Sequence, residues 1–113
     1  MTDCLFCKII SGQIPSKKVY EDDTVFAFRD INPQAKTHVL IVPKVHIASC
    51  ADINAGNSAV VAHIFEVIPK IAEAEGLKNG FRVITNSGPD ACQSVHHLHF
   101  HVLGGEQMSD KMA

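Results

Sequence analysis

The sequence predicts an α+β fold: a five-stranded, mostly antiparallel sheet with one long helix and a short N-terminal helix. Three observations carry this expectation. Several short stretches alternate apolar and polar residues with the period of a strand, one stretch repeats apolar residues with the period of a helix, and turn-prone residues separate them.

Taken in order, "CLFCKIISGQIP" is a short apolar helical cluster that Gly12 and Pro15 should stop. "KKVYED" and "TVFAFRD" read as two antiparallel strands around the turn-prone Asp22 and Asp23, and "THVLIVPK" as a third strand ended by Pro43. From Asn57 to Glu75, Val60, Val61, Ile64, Val67, Ile68, Ile71 and Ala72 keep helical spacing, and Gly76 supplies a left-handed stop. Pro69 removes a backbone donor inside that pattern, so a kink or local widening is expected. "NGFRVITN" turns at Asn79-Gly80 and alternates as a fourth strand, Ser87 to Gln93 is a loop, and the fifth strand carries "HHLHFHVL" before an irregular tail.

Composition bounds the function. At 113 residues the chain has the length of one domain, and its apolar runs fall far short of a membrane span. The start "MTDCLFCKII" lacks the basic, long apolar and small-residue pattern of a secretory leader, so a cytosolic address is expected. Ten Lys and Arg against twelve Asp and Glu, a formal charge of -2, leave no basic stripe for a polynucleotide but do not exclude a single nucleotide. In a reducing compartment the four cysteines are not expected to pair as disulfides, and the close pair "CLFC" reads as thiol or metal chemistry.

The densest signal is "QSVHHLHFHVLGG", with four of the seven histidines. As a strand it places His97, His99 and His101 on one face, about 6 to 7 Å apart in succession, and Leu98, Phe100 and Val102 on the other. A helix would fan the same three across roughly 200°. Any one of them could be a surface histidine, but strict alternation followed by Gly-Gly argues for divided labour among nucleophile, donor and metal ligand. His96 is out of phase and faces away, whereas His38 and His63 are read as structural or surface groups.

The run His97-Leu98-His99-Phe100-His101-Val102-Leu103 resembles the His-φ-His-φ-His-φ-φ signature of the histidine-triad, or HIT, superfamily of nucleotide hydrolases and transferases. "FRDINPQAKTHVLIVPKVHI", "NSG", "QSV" and "LGG" are similar in order and spacing to its Hint branch, so the resemblance covers nearly the whole chain, residues 1–113, as one HIT domain. The nucleotidyltransferase branch typically has Gln at the position of His101, and the Fhit-like branch lacks the Gly-Gly.

The resemblance implies a purine nucleotide hydrolase acting on nucleoside phosphoramidates or other AMP derivatives. His99 would attack the α-phosphorus to give a nucleotidyl-imidazole, while His101 and Ser94 stabilise the phosphate and leaving group. It also implies that Asp30 grips the ribose hydroxyls, that Asn86 helps position the phosphate, and that Leu5, Phe6, Ile9, Phe28 and Ile31 line the base pocket. A homodimer through the long helix and a strand edge follows from the same likeness. Taken alone, Asp30 reads equally as a turn residue and the apolar residues as core.

Cys4 and Cys7 have the spacing for one tetrahedral zinc, with His46 and His97 as the remaining ligands, a set that some HIT proteins resemble in all four positions. Such a site is closed and structural. A redox dithiol and two packing cysteines are the competing readings. Cys50 and Cys92 have no partner at ligand spacing, and Cys92 stands where relatives commonly have glycine. Two other functions stay open, a nucleotide-binding regulatory or scaffold protein and a dinucleoside polyphosphate hydrolase. The tail "EQMSDKMA" departs from the resemblance where leaving-group preference is often shaped.

Overall fold

Asp22 closes the first hairpin: its Oδ1 accepts the backbone N–H groups of Thr24 and Val25, at 2.8 and 2.9 Å, and so turns Lys18–Glu21 (β1) back against Val25–Arg29 (β2). Thr37–Pro43 (β3), Phe81–Ile84 (β4) and Phe100–Gly104 (β5) complete the sheet of this computed structural model, which describes residues 4–112. Met1–Asp3, part of the leader reading, and Ala113, the end of the tail, lie outside the described residues.

The strand order is β1-β2-β3-β5-β4 and every pair is antiparallel. Helix α1 (Leu5–Ile10) precedes the sheet, and α2 (Ser58–Ala74) connects β3 to β4. This is the expected α+β architecture.

Two layers cover the sheet. Val25, Ala27, Val39, Ile41, Leu98, Phe100 and Val102 face the α2 stripe of Ile64, Val67, Ile68 and Ile71, while Phe26, Phe28, Leu40 and Val42 face Phe6 and Ile9 of α1. Because both faces are covered, Val25–Phe28 are all buried and the expected apolar-polar alternation of β2 is lost.

Helix α2 ends as its glycine foretells. Gly76 adopts φ +71°, its N–H donates to Glu73 O, and the N–H of Leu77 donates to Ala72 O, the paired closure of a Schellman motif. Pro69 lies on the exposed face, and the helix runs on through it to Ala74. No helix among the described residues is long and apolar enough to cross a membrane.

The histidine segment departs from expectation in one respect. β5 begins at Phe100, so His97 and His99 precede the strand. Leu98 N–H donates instead to Ile47 O at 2.6 Å, and His99 O accepts the Thr85 hydroxyl at 2.7 Å in place of a ladder partner. The side chains still divide as expected, with Leu98 in the α2 core and His97 and His99 against Phe6 of α1.

Candidate active site

Beneath α1 the sheet leaves a cleft of about 280 Å³ walled by Leu5, Phe6, Ile9, Phe28 and Leu40, with His99, His101, Ser94 and Asp30 as its polar groups. Convergence of a few polar groups on an apolar hollow is the usual form of a small-molecule site. At Asp30 it adjoins a second depression of about 660 Å³ that reaches Lys17, Lys36 and His38. A larger groove, about 780 Å³, lies between the Gly76–Arg82 turn and Gly105–Met108 but gathers no histidine or cysteine, so volume alone does not select the site.

His99 is buried, and its Nδ1–H donates to His97 O at 2.7 Å. That bond commits one ring nitrogen as donor and leaves the lone pair on Nε2. Burial lowers the His99 pKa, against the backbone bond and the Asp30 charge, so the imidazole is neutral and keeps that lone pair at neutral pH.

His101 is held in the complementary tautomer. The Gln34 N–H donates to His38 Nδ1 at 3.0 Å, so the proton of a neutral His38 sits on Nε2, where it donates to His101 Nδ1 at 2.9 Å. His101 therefore carries its own proton on Nε2. Burial, then the neighbouring His99 and His38, push its pKa down to about 4, and burial likewise lowers His38. The two histidines of the cleft thus differ at Nε2: His99 offers a lone pair and His101 an N–H.

His38, read from sequence as structural or surface, is buried and belongs to this chain of bonds. Asp30, His38 and His101 bring ligand-type atoms within 4.8 Å of one another. A metal would need the Nε2 lone pair of His38, and the Gln34 N–H has already placed the proton there, so the trio is a hydrogen-bond relay. Asp30 is a turn residue that also reaches the cleft. Its Oδ1 accepts the Asn32 N–H and closes the turn, while Oδ2 lies 3.4 Å from His38 Nε2 at the lip of the cleft.

Cys4, Cys7, His46 and His97 meet on the other side of α1. Cys4 Sγ is 3.4 Å from His97 Nδ1, Cys7 Sγ is 3.5 Å from His46 Nδ1 and 3.6 Å from His97 Nδ1, and the two Nδ1 atoms are 3.2 Å apart. A tetrahedron built on zinc bond lengths has edges of about 3.3 Å between nitrogens and about 3.6 Å between nitrogen and sulfur. The donor set and its spacing fit zinc. His97 Nε2–H donates to Pro43 O at 2.8 Å, which directs Nδ1 toward the cluster. Burial, reinforced by Cys4, raises the Cys7 thiol, a preference that a bound dication reverses.

The remaining expected residues fall in different places. Ile31 is fully exposed on the rim, and Ser94, also exposed, lines the cleft. Asn86 is not among the cleft-lining residues; its side-chain N–H donates to Ala91 O at 2.9 Å and braces the Pro89–Cys92 loop. His96 is exposed, and Cys50 and Cys92 are exposed free thiols. Cys92 has φ +61°, the left-handed conformation that a glycine takes without strain. His63 joins α2 to the first turn, with Nε2 2.7 Å from Asp22 Oδ2. Gln34, whose contribution is a backbone N–H, left no side-chain signal to read.

Comparison with known proteins gives a consistent result. The HIT domain family profile matches residues 11–108. A 14 kDa zinc-binding protein of Zea mays is 49% identical over 107 residues, covering 93% of this chain and 84% of the relative. Adenylylsulfatase HINT1 of Arabidopsis thaliana is 43% identical, covering 93% and 73%. A solved structure, the HIT family hydrolase from Clostridium thermocellum, superposes with a TM-score of 0.97 at 46% identity, covering 100% of this chain and 99% of that one.

Proposed function

The chain belongs to the HIT domain family, and from that premise we propose that it hydrolyses AMP derivatives, nucleoside phosphoramidates foremost, through a nucleotidyl-His99 intermediate. The observation that carries the reading is the pair of opposite tautomers in one cleft, a lone pair on His99 Nε2 beside an N–H on His101 Nε2.

The chemistry follows from that pair. His99 Nε2 attacks the α-phosphorus, the N–P bond forms as the bond to the leaving group breaks, and His101 Nε2–H donates to a phosphate oxygen as charge builds on it. Ser94, exposed at the phosphate end, hydrogen-bonds the leaving group, which takes up a proton from solvent as it departs. Water then attacks phosphorus and breaks the N–P bond, a proton returns to solvent, and the nucleoside monophosphate leaves neutral His99 behind. Asp30 accepts from the ribose hydroxyls, and Leu5, Phe6, Ile9, Phe28 and Ile31 take a purine base. Asn86 acts at one remove, by holding the loop before Ser94.

Zinc is held by Cys4, Cys7, His46 and His97 in this reading, supported by the geometry of the four donors and by the relatives named for zinc binding. All four coordination positions are protein atoms, so the ion is structural. Thiolate ligands of this kind suit a reducing compartment, in line with a cytosolic address. A homodimer through α2 and the edge strand β4 is supported by Phe65 and Phe81, 51% and 41% exposed on those elements.

The test is direct. Mixing the protein with adenosine 5′-phosphoramidate and quenching early should trap an adenylyl adduct on His99 by mass spectrometry, absent in His99→Ala. Turnover by folded His99→Ala at the parent rate would refute the mechanism, and preferred cleavage of a diadenosine polyphosphate would move the substrate class. Cys4→Ala should lose bound zinc, and an unchanged zinc content would refute the metal assignment.

A further inference from the structure

Helix α1 is six residues long, and among the described residues its backbone hydrogen bonds are all local, between Cys4 and Ile14. An isolated helix of that length is not stable in water, so α1 depends on what its side chains hold. One side carries Cys7, with Cys4 as the capping residue, toward His46 and His97. The other carries Leu5, Phe6 and Ile9, three walls of the cleft. Phe6 lies between the two sites: its ring centroid is 6.0 Å from that of His97, 5.0 Å from His99 and 5.5 Å from Phe28, edge-on to each.

We propose that α1 couples the metal site to the nucleotide cleft, so that zinc and nucleotide each strengthen the binding of the other. The inference rests on the function proposed above. Zinc joins both cysteines to His46, in the segment after β3, and to His97, beside β5; it thereby fixes α1 against the sheet and sets three cleft walls before the nucleotide arrives. A nucleotide stacked against Phe6, Leu5 and Ile9 restrains α1 from the opposite side and slows the opening through which the metal leaves. Linkage makes the two effects equal at equilibrium, whichever ligand binds first. A coupling of this kind is expected to be about tenfold.

The experiment uses the full chain loaded with zinc and AMP as the probe. An excess of a coloured chelator strips the metal, and the release rate is read with and without saturating AMP. Release should be slower with AMP by up to about tenfold, the whole of the coupling where it falls on the off-rate, and AMP should bind about tenfold more weakly to stripped protein that keeps its far-ultraviolet circular dichroism. Because the rate measurement starts from loaded protein, it stands even if the stripped chain unfolds. Phe6→Leu retains every metal ligand and should cut the AMP effect on release to about threefold or less. An AMP-independent release rate overturns the coupling alone; failure of AMP to bind the loaded protein overturns the proposed function with it.

Discussion

Replacing His38 by alanine tests the tautomer relay. In the parent, Gln34 N–H fixes His38, and His38 Nε2–H fixes His101 with its proton on Nε2. Alanine leaves His101 free to turn or to move its proton to Nδ1, and leaves a partly buried acceptor without its donor, at a cost of about 1–3 kcal/mol in stability. Complete loss of a transition-state donor costs about 10²–10³ in kcat. His38→Ala retains the donor but not its orientation, so kcat should fall about 10- to 100-fold, equivalent to about 1.4–2.7 kcal/mol. KM should change little, because His38 lines the outer depression and not the main cleft. Steady-state and single-turnover hydrolysis of adenosine 5′-phosphoramidate, with circular dichroism as the check on folding, measures this. His38→Gln, which can present an N–H near the Nε2 position, should recover part of the rate. A folded His38→Ala protein with kcat within about twofold of the parent would show that the relay does not serve catalysis.

Two further outcomes concern stability. His38 and His101 have folded pKa values below the ordinary 6.5, His101 at about 4, so the native state binds fewer protons than the unfolded chain over that interval. Their contribution is complete above pH 6.5 and is lost as pH falls toward about 4, at no more than about 1.4 kcal/mol per pH unit for each histidine. Denaturation at pH 7, 6 and 5 should show the decline, with a shallower slope in His101→Gln; identical slopes would contradict the assignment. Leu98→Ala removes a fully buried side chain from the α2 core and should lower unfolding free energy by about 2–5 kcal/mol, read by urea denaturation.

The sequence shows local periodicity well and long-range pairing poorly. The strands, the α2 stripe and the Gly76 stop were legible because each depends on residues a few positions apart. The division of Leu98 from His97 and His99 was legible for the same reason. The role of His38 was not: it arises from the register that sets Leu40 opposite His101 and His38 opposite Leu103, which brings His38 and His101 together on a diagonal of the sheet. The start of β5 lies later than the alternation suggests because the side-chain period continues where the ladder stops, and the Thr85 and Ile47 contacts reveal the break. Asn86 shows the opposite case, a polar residue near the expected phosphate end whose amide bonds the backbone of its own loop.

The two-sided sheet has a consequence for how this chain can change. Its principal core lies behind the sheet with α2, whereas Leu5, Ile14, Pro15 and Ile31 form a margin of the cleft on the front. Ligand preference can therefore be rewritten by exchanging a few residues of that margin while the rear core, which holds the strands together, is left untouched. Tolerance to substitution should accordingly be greatest on the side where selectivity resides, so the same architecture can accept a succession of related substrates without being rebuilt.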